Sequence, residues 1–272
     1  MMKSVPVLMY HHVSPNPGLV TMSPENFEAH MAYLASAGYR SIRADELAGF
    51  IEGREKLKGR NVLITFDDGF LDNYVYAYPL LRRYGLNAVI FSVTGWIGDG
   101  PARAHLDSGS TLPNTPDHKA CKKAIADGKP DEVMMRWSEI ETMETDGSIE
   151  IHSHTHSHIR WDQQYPEQPS RLQALQDDLQ LSRDTLQARL GRSSRHLCWP
   201  WGYTEAGYAD AARSVGYDVQ YLTEKRANYA GGAVDAIGRI VAKDKPASWL
   251  ASRLRIYSNR YLATAYTRLR GE

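Results

Sequence analysis

Cysteine is scarce in this 272-residue chain: Cys121 and Cys198 are the only two. Two thiols make no disulfide framework, and nothing in their placement calls for an oxidising compartment. Long hydrophobic runs are missing as well. None reaches the ~20 residues that span a bilayer, and the apolar stretch in "MMKSVPVLMYHHVSPNP" is too short for a signal-peptide core. A charge excess is also lacking, with Lys plus Arg and Asp plus Glu at 32 each, so no overall basicity points to nucleic acid. Repeats and low-complexity tracts are absent. The expected location is cytoplasmic, soluble or peripheral on the inner face of a membrane.

What is present is a chain of ordinary apolar content, 42%, long enough to bury one sizeable core. Short apolar runs alternate with amphipathic stretches, the pattern of parallel strands joined by helices. "VPVLMY" (Val5–Tyr10), "NVLITF" (Asn61–Phe66) and "NAVIFSV" (Asn87–Val93) read as buried strands. "SPENFEAHMAYLASAG" reads as a helix with Ser23 as cap, Pro24 at its first position and Gly38 as stop. Between about residues 98 and 131 Gly, Pro, Asp, Ser and Lys dominate with little periodicity, which predicts an insertion acting as a lid or specificity loop. Near the end, about 247–272, Leu250, Leu254, Tyr257, Tyr261, Ala265 and Leu269 form a helical stripe. Arg253, Arg255, Arg260, Arg268 and Arg270 flank it with no acid from Trp249 to Gly271. That segment is either a docked terminal helix or a basic surface for anionic lipid or a phosphate-bearing glycan.

Three polar clusters follow predicted strands. "TFDDG" places Asp67 beside Asp68, which repel unless a cation or proton intervenes. A polar turn or a phosphotransferase aspartate are the competing readings. "IEIHSHTHSHIR" puts His152, His154, His156 and His158 on alternate positions. One helical turn leaving the strand would bring His154 and His158 to one face. Carboxylate and imidazole together suit a borderline divalent metal with open coordination positions. "HLCWPWG" is the third cluster. In alternating strand–helix barrels, strand C-termini are where active sites form.

These motifs resemble those of the NodB-type polysaccharide deacetylases, carbohydrate esterase family 4. "TFDDG" and "HSHTHSH" match its first two motifs, "CWPWG" its proline-containing third, and "YGLNAVIFSV" the segment after the first. The resemblance runs from Val5 to about Val241, outside the insertion. It implies an α/β fold, a distorted and incomplete (β/α)7 barrel, and a single catalytic domain over residues 1–272. It implies Asp67 as catalytic base and Asp68, His154 and His158 as ligands of one divalent metal, most naturally Zn2+, with Co2+ or Ni2+ as alternatives. The reaction it implies is hydrolysis of an N-acetyl, or sometimes O-acetyl, group on a sugar, with an N-acetylated cell-surface glycan as substrate. The short N-terminal apolar stretch and the basic C-terminal segment together suit a lipid-linked or lipopolysaccharide precursor at the inner face of a membrane.

Two departures stand out. The arginine that usually opens the third motif is replaced by Cys198, and Arg239 in "IGRIV" is the substitute candidate for holding Asp67. The family's late acidic histidine is missing, since His196 is the last histidine. "LMYHHVSP" resembles the Tyr-His segment of the biofilm poly-N-acetylglucosamine deacetylase branch, which implies His11 as the acid. The resemblance also implies the Trp201 backbone N–H as oxyanion donor; independently of it, Trp201 and Tyr203 are the aromatic candidates for an apolar wall against a sugar face. Trp199 is expected in the core. Alternatives within the same motifs are a sugar deformylase, an O-deacetylase, or an inactive glycan-binding homologue.

Overall fold

The computed structural model describes residues 3–270. Seven strands form its main sheet: β1 (Val7–Tyr10), β2 (Arg60–Asp68), β3 (Ala88–Ser92), β4 (Ile149–Ser153), β5 (His196–Cys198), β6 (Val219–Tyr221) and β7 (Ile240–Val241). Their order is β7-β1-β2-β3-β4-β5-β6, every pairing parallel. A short strand, Tyr39–Ser41, extends the start of β2. The sheet curls until Tyr221 bridges Ile237 just ahead of β7, so its two edges meet through a single bridge. This is the distorted, incomplete α/β barrel expected from the sequence.

Alternation along the strands assigns the two faces. Leu8, Tyr10, Val62, Ile64, Phe66, Ile90 and Ile151 point outward into one large core. There they meet α1 (Pro24–Ser36), α5 (Trp137–Thr145) and α8 (Ala247–Tyr257) through Phe27, Met31, Leu34, Ile140, Leu250 and Leu254. The opposite set, Val7, Leu63, Val89, Phe91, Cys198, Val219 and Tyr221, fills the barrel interior. The longer of the remaining helices are α2 (Ala44–Ile51), α3 (Tyr78–Arg83), α4 (His118–Ala126), α6 (Gln168–Leu190), α7 (Tyr208–Val215) and α9 (Arg260–Arg270), with a short helical segment at Trp161–Gln164. Ser23 caps α1 by accepting from the Asn26 N–H, with Pro24 at the first position, as its sequence predicts.

Three local expectations are corrected. The 98–131 segment contains α4, which its Gly- and Pro-rich flanks conceal. The segment is also clamped: Arg103 donates to the buried Glu139 at 2.7 and 2.8 Å and to the Asp131 and Met134 carbonyls. The C-terminal stripe is two helices, because α8 ends at Tyr257 and α9 begins at Arg260. Leu250, Leu254 and Tyr257 are buried, whereas Tyr261 and Leu269 are exposed. The side chain of Arg270 and residues 271–272 lie outside the described residues. Finally, no helical turn follows β4, as shown below.

Candidate active site

Register sets the level of the site. Asp67 pairs with Phe91 and Phe91 with His152; Asp68 pairs with Ser92 and Ser92 with Ser153. Both carboxylates therefore sit at the C-terminal end of the strands. Asp67 continues the inward alternation of Leu63 and Thr65 and reaches the barrel axis. Arg239, fully buried just before β7, meets it with two parallel bonds, Nη1 to Oδ1 at 2.6 Å and Nη2 to Oδ2 at 2.8 Å. The guanidinium is fixed from behind by the Leu222 carbonyl (2.9 Å) and Thr65 Oγ1 (3.3 Å). Burial opposes the Asp67 carboxylate, but the guanidinium outweighs it and holds the carboxyl below its ordinary pKa. Cys198 sits beside the pair with Sγ 3.7 Å from Asp67 Oδ1. Burial raises its pKa, so it is present as a thiol.

Asp68 adopts φ +72°, leaving the strand and turning its carboxylate sideways. The Nε2 atoms of His154 and His158 each lie 3.4 Å from its Oδ1. His154 keeps the strand alternation past the end of β4, with its N–H donating to the Ser92 carbonyl. His158 arrives differently. Thr155 (φ +70°) and His158 (φ +49°) are both left-handed, and Thr155 Oγ1 accepts from the His158 N–H. A loop with two positive-φ residues, rather than a helical turn, therefore brings the two imidazoles together, with ring centroids 5.0 Å apart. The ring of His158 is steadied by Trp96 at 5.2 Å and Trp201 at 4.3 Å.

The donor atoms of Asp68, His154 and His158 lie within 4.8 Å of one another and all three residues are buried. Their chemistry fits a cation. Nδ1 of His154 donates to the Cys198 carbonyl at 2.8 Å, which leaves Nε2 facing Asp68; burial opposes charge on this imidazole, but Cys198 and Asp68 outweigh it and raise its pKa. Burial pushes His158 down to about 3, which leaves that imidazole neutral. The cluster calls for positive charge beside Asp68, either a proton on His154 Nε2 or a cation in its place, and the N2O set suits a Zn2+-like ion with positions to spare.

The other two histidines of the run are elsewhere. His152 is inside the barrel, with Nδ1 2.8 Å from Ser194 Oγ and its ring 4.6 Å from that of His196. His156 faces Thr94 Oγ1 at 3.0 Å. His11 joins the site, with Nε2 3.8 Å from Asp67 Oδ2 and burial lowering its pKa. Trp201 is 51% exposed beside His158. It is left-handed (φ +57°), and none of the described residues accepts its N–H. Tyr203 is half-buried under the Arg160 guanidinium, 3.9 Å from its ring, which leaves it a smaller free face than Trp201. Trp199 is buried in the core. Sequence reasoning missed the buried pair His12–Asp72, at 2.6 Å, and its neighbour His118 on α4. The adjacent His11–His12 and the spacing of Asp72 after "TFDDG" were the signals.

Comparison with known proteins follows the same lines. A family model described as polysaccharide deacetylase matches residues 54–220. YxkH of Bacillus subtilis (strain 168), named provisionally as a polysaccharide deacetylase, is 43% identical over 94 residues, 35% of this chain and 33% of its own. The poly-β-1,6-N-acetyl-D-glucosamine N-deacetylase of Escherichia coli (strain K12) is 20% identical over 241 residues, 79% of this chain and 32% of its own. The chain thus spans about a third of the length of these curated relatives. Among solved structures, IcaB from Ammonifex degensii superposes with a TM-score of 0.73 at 23% identity, covering 93% of this chain and 97% of that one. Streptococcus pyogenes deacetylase PplD, solved with acetate, gives 0.72 at 20% identity, covering 93% and 99%.

Proposed function

Since the chain belongs to the polysaccharide deacetylase family, we propose that it is a metal-dependent hydrolase that removes the acetyl group from an acetamido sugar. The substrate is a cell-surface glycan or a lipid-linked precursor of one. One observation carries this reading: neighbouring carboxylates are put to different uses, Asp67 locked to Arg239 and Asp68 facing two imidazoles.

Asp68, His154 and His158 would hold the ion, with Zn2+ the best match to the donor set and Co2+ or Ni2+ as substitutes. Such an ion supplies Lewis-acid polarisation of the acetyl carbonyl and of a water. Asp67, oriented by Arg239, accepts the water's proton through a lone pair the guanidinium does not use. The Trp201 N–H serves the developing oxyanion. Burial keeps the His11 imidazolium a minority form at neutral pH. The proton taken up by Asp67, 3.8 Å away, is the one placed to recharge it. His11 then protonates the departing sugar nitrogen, and acetate and an amino sugar leave. Trp201 offers an apolar ring to a sugar face.

The test is acetate release across nucleotide-, lipid- and polymer-linked N-acetylhexosamines, with and without chelator. Release that stops on chelation and returns with Zn2+ supports the reading; no release from any of them refutes it. Formate release, or release from O-acetyl esters alone, would transfer it to a deformylase or O-deacetylase. His11→Ala should lower turnover by roughly 10²–10⁴, the span expected for loss of a general acid. Unchanged turnover would remove His11 from the mechanism.

A second reading concerns α9. It carries no acid, and it exposes Tyr261 (64%), Leu262 (51%) and Leu269 (87%) along with Arg268. A basic helix with exposed apolar groups suits an anionic lipid surface, where a lipid-linked glycan would be met. Flotation with phosphatidylglycerol vesicles should carry the wild type and leave Leu262→Ser/Leu269→Ser behind. Equal behaviour of the two would end this reading.

A further inference from the structure

The insertion reaches the site through α4. His118 and Lys122 are four residues apart and so share one face of that helix. The helix is firmly held: Asp117 caps it by accepting from the Ala120 N–H at 2.9 Å, and Cys121 is buried with Phe70, Val133 and Met134.

His118 ends a chain of three groups. Asp72 Oδ2 lies 2.6 Å from His12 Nδ1, and His12 Nε2 lies 3.1 Å from His118 Nδ1. The His12 ring stacks on Phe70 at 3.9 Å, and His12, Phe70 and Asp72 are all buried. Asp72 Oδ1 accepts from the Val13 N–H and from Asn73 Nδ2, and Nδ2 also donates to the His11 carbonyl. The chain is thereby fastened to the strand end that bears His11. Burial opposes charge on His12, but Asp72 outweighs it and raises its pKa. Burial and the neighbouring His12 push His118 down to about 4. When His12 carries the second proton, its Nε2–H donates to His118 Nδ1, and the one N–H of His118 stands at Nε2.

Lys122 stands with its ammonium 5.2 Å from the Trp96 ring centroid, and that ring is 5.2 Å from the ring of His158. Lys123, one residue on, is ion-paired to Asp127, but among the described residues no carboxylate pairs with Lys122. This face of α4 thus presents the His118 ring edge and an ammonium, neither bonded to an acceptor among the described residues; Asp68 is near enough to act on His118, and Lys122 near enough to depress the pKa of His158. Donors without acceptors, one of them charged, are complementary to an oxyanion rather than to a neutral hydroxyl, which both donates and accepts.

We infer that His118 and Lys122 form an oxyanion subsite at the rim of the metal cluster, which takes a phosphate or carboxylate substituent of the glycan. That the ligand is a glycan rests on the deacetylase reading above; the subsite itself is tested by binding, without turnover. Calorimetry on the whole chain would compare a neutral N-acetylglucosamine trisaccharide with its 6-phosphate and with an analogue bearing a lactyl carboxylate. At least one charged ligand should bind about tenfold or more tightly than the neutral one, as a charge-assisted contact predicts. The two charged probes distinguish phosphate from carboxylate. Lys122→Gln should bring the ratio close to one and His118→Asn should reduce it, whereas Lys123→Gln should leave it intact. Equal affinities in the wild type, no measurable binding of the charged ligands, or a preference that survives in Lys122→Gln would each overturn the subsite. If the charged sugar binds through Lys122 but no acetate is ever released, the deacetylase reading fails and the subsite stands.

Discussion

Arg239→Met is expected to cost about 3–5 kcal/mol of folding stability, the range for breaking a buried ion pair by removing one partner. The loss is large because Asp67 is nearly fully buried and both of its oxygens are bonded to that one guanidinium. Methionine fills much of the space but leaves a carboxylate without countercharge, and its pKa then rises. The pH dependence follows from the sign of each shift. In the wild type Asp67 is held below its unfolded value, so its contribution is present above about pH 3.9 and fades as pH falls below that. In Arg239→Met its pKa lies above the unfolded value, so the penalty is absent in acid and grows as pH rises. The gap between the two proteins in urea unfolding should therefore be wide at pH 7.5 and narrow near pH 4. With Asp67 as the base proposed above, turnover should fall with stability, because a protonated Asp67 accepts nothing from water. Arg239→Met/Asp67→Asn should recover much of the stability and none of the turnover. A single variant as stable as the wild type at pH 7.5 would mean that the pair is not what holds Asp67.

The barrel was legible because its strands are buried on both faces and read as apolar runs, and because Ser23, Pro24 and Gly38 punctuate α1. The level of the site was legible too, since "TFDDG" and the histidine run each begin where such a strand stops. The approach of Arg239 to Asp67 rests on a contact between residues 172 apart, closed by the sheet's return to β1. No local pattern encodes that; only a missing charge at position 198 suggested looking for it. The path to His158 was misread for a related reason. Spacing of four fits a helical turn, but the positive φ of Thr155 and of His158 itself leaves no sequence mark, because neither is glycine. In the insertion, Gly109, Pro113, Pro116 and Gly128 surround nine helical residues and dilute their periodicity. His118 was thus read as part of a loop, and its contact with His12 spans 106 residues.

On the metal-dependent mechanism proposed above, His158→Ala should leave the cluster unable to hold the ion and lower turnover by a factor on the order of 10⁴ or more, since that ion would polarise the carbonyl and the water. The effect should exceed that of His11→Ala, which removes a proton carrier and leaves the ligand set whole. His156→Ala is the informative contrast. It belongs to the same alternating run, two positions away, but its ring bonds Thr94 and its N–H bonds Asp178, so it contributes no atom to the cluster. Metal content after exhaustive dialysis, measured beside acetate release, should separate the two: His158→Ala without metal and inactive, His156→Ala loaded and active. The pairing matters because alternation alone treats the four histidines as equivalent. The geometry divides them by backbone: His154 reaches Asp68 by continuing the strand, His158 by two left-handed residues, and His152 and His156 are committed to serine and threonine hydroxyls. Metal retained by His158→Ala but lost by His156→Ala would reverse that division, and with it the ligand set on which the hydrolytic mechanism depends.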